Sequence, residues 1–207
     1  MKRVIDLAGG LLAFLLSLPL LLLSAILVRL SSPGPVLFAQ QRLGLHGKAF
    51  RLLKFRTMYH GAADLRNEDG SAYTGAGDPR VTSIGRWLRK TSLDELPQVF
   101  NVLRGEMSLV GPRPDQVDQL PYYTETERRK LLVKPGITGL AQISGRNNIA
   151  WAQRKALDVQ YVERQSLWLD LKILLKTVPC VLSRKDVHGG DDAGLAAAVP
   201  NSSQSST

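Results

Sequence analysis

Two adjacent carboxylates, Asp94 and Glu95, are the residues of this 207-residue sequence whose type and spacing best suit chemistry. Basic side chains are concentrated around them between positions 78 and 114: Arg80, Arg86, Arg89, Lys90, Arg104 and Arg113. Positive neighbours keep a carboxylate ionised, so that it can act as a nucleophile or as a metal ligand. Mg²⁺ favours one or two carboxylates together with substrate phosphate oxygens, so this stretch predicts phosphoryl chemistry with Mg²⁺ as cofactor.

The same pair also has a purely structural interpretation. Ser92 and Glu95 have the spacing of a helix capping box, and acidic residues in a first helical turn complement the helix dipole. A helix start with arginines beside it would equally form a binding site for a phosphate or pyrophosphate. The spacing alone favours the cap, and the catalytic interpretation stays open beside it.

Further cations could serve a phosphate site. Arg113 belongs to the corner Gly111-Pro112-Arg113-Pro114, which would aim its guanidinium in one direction or else be a plain turn after a strand. Lys54 and Arg56 lie near the end of a predicted strand, where they would add positive charge or simply face water. None of these signals is specific by itself.

The composition argues against several other kinds of protein. A single cysteine, Cys180, rules out a disulfide scaffold and a cysteine-based zinc cluster. The scattered histidines, His46, His60 and His188, disfavour a Ser-His-Asp triad or a zinc hydrolase. A net charge of +9 would suit a membrane-tethered nucleic-acid-binding protein, but 18 acidic residues are interspersed and no aromatic stacking platform is present. A non-catalytic membrane scaffold is the other alternative.

Short strands and four helices are predicted to position the candidate residues. Val36–Gln41 and Lys48–Met58 are predicted as a β-hairpin around a turn with Gly44 and Gly47, and residues 61–85 as a long loop. The predicted helices run from Ser92 to Gly105, from the capping box at Thr124 to Lys134, from Ala150 to Arg164 and from Leu167 to Leu182. The predicted fold class is α+β, mostly helical.

The last predicted helix is amphipathic. Its apolar face consists of Leu167, Trp168, Leu171, Leu174, Leu175, Val178, Val181 and Leu182. Asp170, Lys172 and Lys176 lie opposite, and Pro179 is expected to bend the helix. Packing on a core is the commoner explanation of such a face, and a position in a membrane interface is the alternative.

The N-terminal segment Leu7–Val28 carries no charged residue over 22 positions. As one helix it would be ~33 Å long, enough to cross a hydrocarbon core. Pro19 interrupts this run, and basic residues flank both ends, so the positive-inside rule assigns neither end to the far side. A re-entrant helical hairpin with its apex at Ser17 and Pro19 satisfies these observations, and so does a kinked spanning helix.

The chain divides into three parts by composition. Residues 1–35 form the membrane segment and a rigid exit, Ser31-Ser32-Pro33-Gly34-Pro35. Residues 36–184 are predicted as a catalytic domain. Residues 185–207 are predicted as a disordered tail.

Four motifs carry a resemblance to a known family. They are KRVIDLAGG, FAQQRLGLHGKAFRLLKFRTM, DPRVTSIGRWLRKTSLDELPQVFNVLRGEMSLVGPRP and KPGITGLAQISGRN. In these motifs, and over about Lys2 to Leu182, the sequence resembles the bacterial sugar transferases, the monotopic phosphoglycosyl transferase family. In length it is similar to the small members that are only the catalytic core, such as the phospho-N-acetylbacillosamine transferases.

The resemblance implies a two-step reaction. An aspartate attacks the β-phosphate of a UDP-sugar, releases UMP and carries the phosphosugar until undecaprenyl phosphate accepts it. By motif, Asp94 is the nucleophile and a Mg²⁺ ligand, and Glu95 assists by positioning or by deprotonating the acceptor. The implied phosphate-binding residues are Arg89, Arg113 and Lys54, and the implied nucleotide-binding residues are Arg146 and Asn147.

The resemblance also implies the re-entrant hairpin, with amphipathic interfacial helices around a compact catalytic core. This monotopic arrangement lies at the cytoplasmic face of the bacterial inner membrane. The implied partners are a UDP-sugar, undecaprenyl phosphate and membrane phospholipids, without nucleic acid. Ser17-Leu18-Pro19 departs from the adjacent Ser-Pro often found in the family at the break. A homo-oligomer is possible, and the sequence does not determine the oligomeric state. It does not determine the sugar either: UDP-linked acetamido sugars are the first candidates, and galactose or glucose are the alternatives.

Overall fold

The computed structural model describes residues 1–63, 65–66, 77–145, 149–182 and 199–200. Within them the chain is mostly helical with short strands, as the sequence predicts. The helices are α1 (Lys2–Ser31), α2 (Ser83–Thr91), α3 (Gln98–Arg104), α4 (Glu125–Arg128), α5 (Leu140–Ser144), α6 (Trp151–Glu163) and α7 (Leu167–Leu182). The strands are β1 (Leu37–Leu43), β2 (Ala49–Phe55), β3 (Leu65–Arg66), β4 (Ser108–Val110), β5 (Gly136–Thr138) and β6 (Val199–Pro200).

Helix α1 is a single helix with Pro19 inside it. Its buried residues, Asp6, Gly10, Leu21, Ser24 and Val28, lie on one stripe because they are spaced by whole helical turns. The opposite side exposes a continuous set of large apolar side chains: Leu11, Leu12, Leu15, Leu16, Leu18, Leu20, Leu22, Leu23, Ile26 and Leu30. The hairpin with its apex at Ser17 and Pro19 is therefore not confirmed and stays a prediction.

Both ends of α1 are tied to the same folded body. At its start, the Lys2 ammonium donates to Asp170 Oδ2 of α7 at 2.5 Å. At its end, the buried Arg56 guanidinium donates to the carbonyls of Ser32 at 2.8 Å and Pro33 at 2.6 Å. Arg56 thus neither faces water nor joins a phosphate site, because its guanidinium is used to hold the exit of α1.

Among the described residues, α1 is also the one helix long and apolar enough to cross a membrane. Only 17% of its most apolar 18-residue window is buried against the protein. A long apolar surface of this kind is costly to leave in water. The helix is therefore consistent with membrane association.

The predicted β-hairpin is confirmed, with shifted ends. β1 and β2 pair antiparallel from Leu37 opposite Phe55 to Leu43 opposite Ala49. The connection is a 3₁₀ turn in which His46 has a φ of 55°. The other described strands form two separate two-stranded sheets: β4 runs parallel to β5, and β3 runs antiparallel to β6.

The helix predicted from Ser92 to Gly105 is wrong in its first half and confirmed in its second, where α3 covers Gln98–Arg104 and ends at Gly105. α2 occupies Ser83–Thr91 and ends where Ser92 adopts a left-handed φ of 57°. A 3₁₀ turn at Leu93–Glu95 follows, and α3 begins only after Pro97. Proline lacks an amide hydrogen and fits before or at the first turn of a helix, so the chain starts a new helix there instead of continuing one.

The predicted loop at residues 61–85 extends too far, because its last residues belong to the start of α2. Residues 64 and 67–76 of this loop lie outside the described part of the chain.

The later helices follow the sequence patterns more closely. The capping box at Thr124 and Glu127 is formed, although α4 is short and a 3₁₀ segment, Arg129–Leu132, completes that stretch. α6 and α7 match their predictions. The predicted tail, residues 185–207, lies outside the described residues apart from β6, and the division into three parts stays a prediction.

The apolar face of α7 points away from the core. Asp170 and Ile173 are buried against the protein, and Ile173 packs with Val110 and Tyr161. The exposed side chains of α7 include Leu167, Trp168, Leu171, Leu175 and Val178. Leu174 of the predicted face packs on the same cluster, but packing of the face as a whole on a core, the commoner explanation, is wrong. α7 and α1 both present apolar side chains outward.

Candidate active site

Asp94 and Glu95 lie in the 3₁₀ turn between α2 and α3. Ser92 makes no side-chain capping hydrogen bond, so the predicted capping box is not formed. The turn instead rests on an apolar cluster in which Leu93 and Leu96 pack against Phe55 and Leu88. Because these leucines point inward, the two acidic side chains between them are available to the neighbouring cations.

Glu95 is held by two cations at one oxygen. Its Oε1 accepts from the Lys54 ammonium at 2.7 Å and from the Arg113 guanidinium at 3.0 Å. Burial by itself would raise the pKa of the Glu95 carboxyl, but Lys54 and Arg113 outweigh burial and hold that pKa well below its ordinary value. Glu95 is therefore a permanently charged anchor for these two side chains.

Asp94 is in the opposite situation. Among the described residues it has no hydrogen-bond or ion-pair partner, and its side chain is only partly exposed. Burial raises the pKa of Asp94 to about 6; the nearby Lys54 charge lowers it, and the Glu95 carboxylate raises it further. Its carboxyl group is therefore mostly ionised at neutral pH while both oxygens remain unpaired, which is what a nucleophile or a metal ligand requires.

Arg89 reaches the site from the last turn of α2. Its Nε donates to the Thr57 hydroxyl at 2.9 Å. Thr57 follows β2 and is buried, and its carbonyl accepts from the Thr82 amide at 3.0 Å. Any side chain at Gly85 would place its Cβ 2.0 Å from the Thr57 carbonyl oxygen, so glycine is required for α2 to lie this close. Burial lowers the pKa of Arg89, with the Asp94 charge opposing, and arginine stays protonated in any case.

Arg113 extends from the corner that follows β4. The corner is fixed by backbone hydrogen bonds from Gly111 to the Thr138 carbonyl at 2.9 Å and from Gly136 to the Pro112 carbonyl at 2.9 Å. The Arg113 side chain is 45% exposed, so its guanidinium lies between solvent and Glu95. The Glu95 charge raises the pKa of Arg113.

The structure thus brings five predicted residues together: Lys54, Arg89, Asp94, Glu95 and Arg113. They come from β2, α2, the 3₁₀ turn and the corner after β4, and α1 and β2 support the turn from below. Arg80 lies close enough to Arg89 to help lower the pKa of that residue, but its own guanidinium is bound to the buried Asp78 at 2.6 Å. Arg146 and Asn147 lie outside the described residues.

The donor set suits a magnesium ion only in combination with a substrate. The described residues contain no group of three His, Cys, Asp or Glu side chains that could hold a metal ion. Asp94 offers two carboxylate oxygens that no described residue binds, whereas Glu95 Oε1 is already occupied by Lys54 and Arg113. One carboxylate plus phosphate oxygens is a set that Mg²⁺ accepts, so the residues present fit the predicted ion.

Sequence reasoning missed residues that support the site from behind. Thr57 stands in the KFRTM motif three positions after Lys54, and its position at the end of a strand next to two cations was a usable signal. Lys130 and Asp158 form a buried ion pair at 2.6 Å behind the Arg113 corner. They are far apart in sequence, and nothing in their local pattern indicates that they meet.

A partly buried carboxylate among three cations, beside an outward-facing apolar helix, defines a protein equipped to bind phosphates near a membrane. Residues 1–184 match the bacterial sugar transferase family, so the chain belongs to that family and is a phosphoglycosyl transferase. It is 49% identical to the uncharacterized sugar transferase EpsL of Bacillus subtilis, over 91% of this chain and 90% of that protein.

Two other relatives carry more specific names. The UDP-glucose:undecaprenyl-phosphate glucose-1-phosphate transferase of Caulobacter vibrioides is 45% identical over 90% of this chain and 72% of its own length. The undecaprenyl-phosphate galactose phosphotransferase of Salmonella typhimurium is 40% identical over 91% of this chain. The chain spans only 42% of the Salmonella protein.

Proposed function

We propose that this enzyme transfers a hexose 1-phosphate from a UDP-sugar to undecaprenyl phosphate and releases UMP. The names of the Caulobacter and Salmonella relatives support the acceptor, and they favour glucose or galactose over the acetamido sugars that the sequence placed first. The observation that carries the proposal is the contrast in the acidic pair. Asp94 has no hydrogen-bond or ion-pair partner among the described residues and a pKa of about 6, and Glu95 beside it is engaged by two cations.

In the proposed reaction, an Asp94 carboxylate oxygen attacks the β-phosphorus of the UDP-sugar. A phosphorus–oxygen bond to Asp94 forms, the bond from the β-phosphorus to the bridging oxygen breaks, and UMP leaves with that oxygen. A phosphate oxygen of undecaprenyl phosphate then attacks the same phosphorus and releases the Asp94 carboxylate. A phosphate monoester is largely ionised at neutral pH, so the acceptor needs little help in losing a proton.

This distribution of charge gives each neighbour a role. Arg89 and Arg113 would bind phosphate oxygens, where guanidinium groups can donate two parallel hydrogen bonds. Lys54 would add a third cation. Glu95, whose pKa is well below the ordinary range, is a poor base and would act by orienting Lys54 and Arg113. Mg²⁺ held by Asp94 and substrate phosphate oxygens would neutralise negative charge on the diphosphate.

The two residues proposed for the nucleotide are Arg146 and Asn147, on the strength of the GRN motif. Their role depends on the resemblance alone. A substitution of either residue is expected to raise the KM for the UDP-sugar and to leave the KM for undecaprenyl phosphate unchanged.

We place the enzyme at the cytoplasmic face of the inner membrane as a monotopic protein. The contacts of Lys2 with Asp170 and of Arg56 with Ser32 support the monotopic part of this proposal, because a helix held at both ends by one body cannot put one end across a bilayer. The cytoplasmic face is proposed from the resemblance and from the UDP-sugar donor. The outward apolar faces of α1 and α7 would lie in the lipid. A hairpin with its apex at Ser17 and Pro19 would insert that face more deeply.

The decisive experiment measures UMP release and labelled undecaprenyl-linked product from the purified full chain in lipid nanodiscs, with a panel of UDP-sugars and with Mg²⁺ or chelator. UDP-glucose or UDP-galactose should be the best donor, and the Asp94→Asn variant should lose roughly 1,000-fold in rate. Glu125→Gln, at a carboxylate of α4 that is 97% exposed, is the matched control. Incubation with donor alone should add one hexose phosphate to the intact mass of the enzyme. Full activity of Asp94→Asn would exclude Asp94 as the nucleophile.

A further inference from the structure

A buried ionic cluster lies directly behind the corner that carries Arg113. The Lys130 ammonium donates to Asp158 Oδ2 at 2.6 Å and to Asp115 Oδ2 at 2.8 Å. The Tyr123 hydroxyl donates to the same Asp115 oxygen. We call these four residues, Lys130, Asp115, Asp158 and Tyr123, the support cluster.

The support cluster is removed from water. The side chains of Lys130 and Asp158 are each 3% exposed, and that of Asp115 is 18% exposed. Burial alone would neutralise such groups, yet the pKa of Lys130 is raised because the two carboxylates outweigh burial. The pKa of Asp115 is lowered for the converse reason, since Lys130 outweighs burial there. The Lys130–Asp115 pair is therefore charged in the folded protein.

The two carboxylates of the support cluster flank Arg113. Asp158 Oδ1 accepts from the backbone amide of Arg113 itself at 3.4 Å. Asp115 is two residues further along, and its carbonyl accepts from the Leu43 amide of β1 at 2.9 Å. The backbone at Arg113 is thus held from α6 on one side and from β1 on the other.

The Arg113 side chain has little else to orient it. It is 45% exposed, and its guanidinium donates to Glu95 at 3.0 Å. A long flexible side chain that ends in solvent depends on the placement of its own backbone to reach a partner. A shift of about 1 Å at a group that positions substrate can lower a rate roughly 100-fold.

We propose that Lys130, Asp158 and Asp115 are positioning residues, which fix the Arg113 backbone so that its guanidinium stays on Glu95 and is ready for a substrate phosphate. This inference rests on the proposed function in one respect, the action of Arg113 on phosphate. Burying the charged Lys130–Asp115 pair together with the Asp158 carboxyl, whose pKa burial raises, is expensive, and apolar packing would hold a fold at least as well. Hydrogen bonds between charged groups depend on the orientation of the groups that they join. In the support cluster they therefore fix the orientation of the backbone at Arg113.

Asp158→Asn is the variant of choice, because it keeps the size of the side chain but has one acceptor oxygen for two donors. Asp158 accepts from the Arg113 amide and from Lys130, so an asparagine must turn its NH₂ donor toward one of them, while Lys130 keeps Asp115 as its counter-ion. We expect kcat/KM for the best UDP-sugar to fall roughly 10- to 100-fold in nanodiscs, with thermal unfolding still cooperative. Whichever of kcat and KM changes in Arg113→Ala should be the one that changes in Asp158→Asn. In the Arg113→Ala background, Asp158→Asn should change the rate by less than about two-fold.

Glu163→Gln is the matched control, since the Arg129–Glu163 ion pair at 3.0 Å joins the same two elements as Lys130–Asp158, the 3₁₀ segment and α6, and does not touch the corner. Its activity should stay within about two-fold of wild type. A loss in Asp158→Asn that persists in full in the Arg113→Ala background would overturn the proposal, because the residue would then act on the fold alone. Wild-type activity in Asp158→Asn would overturn it as well.

A crystal structure of Asp158→Asn gives a readout that does not need activity. The Arg113 guanidinium should leave Glu95 Oε1, and a distance still near 3.0 Å would contradict the inference. If the wild-type enzyme transfers no sugar phosphate, the proposed function fails, while the variant's structure still decides whether Asp158 positions Arg113.

Discussion

Asp94 and Glu95 are neighbours in one 3₁₀ turn, yet their carboxyl groups are in opposite electrostatic states. Glu95 shares one oxygen between Lys54 and Arg113, and its pKa is depressed. Asp94 has no partner among the described residues, and burial raises its pKa to about 6. Of the three cations near Asp94, Lys54 and Arg113 are bound to Glu95, and Arg89 donates to the Thr57 hydroxyl. This arrangement leaves Asp94 both charged and available.

The first prediction concerns the pH dependence of the reaction. A carboxylate attacks only when ionised, so the rate of UMP release should rise with pH and reach half of its plateau near pH 6. Glu95→Gln removes a negative neighbour and releases two cations, so the residual activity of that variant should have its midpoint at lower pH. Rates between about pH 5 and pH 8 test this, with circular dichroism to show that the fold is kept. A flat profile from about pH 5 to 7 would contradict the assignment.

The second prediction concerns stability. The pKa of Asp94 is higher in the folded protein than its ordinary value of 3.8, so the ionised carboxylate opposes folding at neutral pH. This cost disappears as the pH falls below about 6, because the folded protein then binds the proton more readily than the unfolded chain. Asp94→Asn should therefore unfold at an equal or higher temperature than wild type at pH 7, by roughly a few degrees. The difference should shrink near pH 5, as measured by calorimetry. A clearly lower unfolding temperature at pH 7 would show that the carboxylate is stabilising.

Local patterns in the sequence predicted the elements that depend on neighbours along the chain. The capping box at Thr124, the helix α6 and the β-hairpin all follow from spacing and turn residues, and all are present. The helix break at Ser92 could not be predicted this way. A serine with a positive φ is uncommon, and here the packing of Leu93 and Leu96 holds the turn.

Long-range relations were equally out of reach. The periodicity of α7 shows that Leu171 and Leu175 share a face, but it does not say whether protein covers that face. The meeting of Lys130 with Asp158 depends on how α6 packs, and no local signal encodes it. The motifs, by contrast, named each of the five residues that the structure brings together at the candidate site.

The third prediction concerns Thr57 as a positioning residue for Arg89. Its hydroxyl accepts from Arg89 Nε at 2.9 Å, and a hydrogen bond to a charged group is worth roughly 1.5–3 kcal/mol. Thr57→Val keeps the shape of the side chain and removes the acceptor, so kcat/KM should fall roughly 10-fold or more. Thr57→Ser restores a hydroxyl and should recover most of the loss. Equal losses in both variants would indicate that packing, and not the hydrogen bond, is what matters at this position.

The fourth prediction concerns the sides of the membrane. Lys2 contacts Asp170 of α7, and Arg56 holds the carbonyls of Ser32 and Pro33, so both ends of α1 should stay with the folded body. A fluorescent protein that matures only in the cytoplasm should be bright when fused before Met1, and alkaline phosphatase, active only in the periplasm, should be inactive there. Lys2→Gln with Asp170→Asn removes the ion pair at the start of α1 and should reduce activity. A phosphatase signal in wild type would replace the monotopic arrangement with a spanning helix, because Lys2 and Asp170 would then lie on opposite sides of the bilayer.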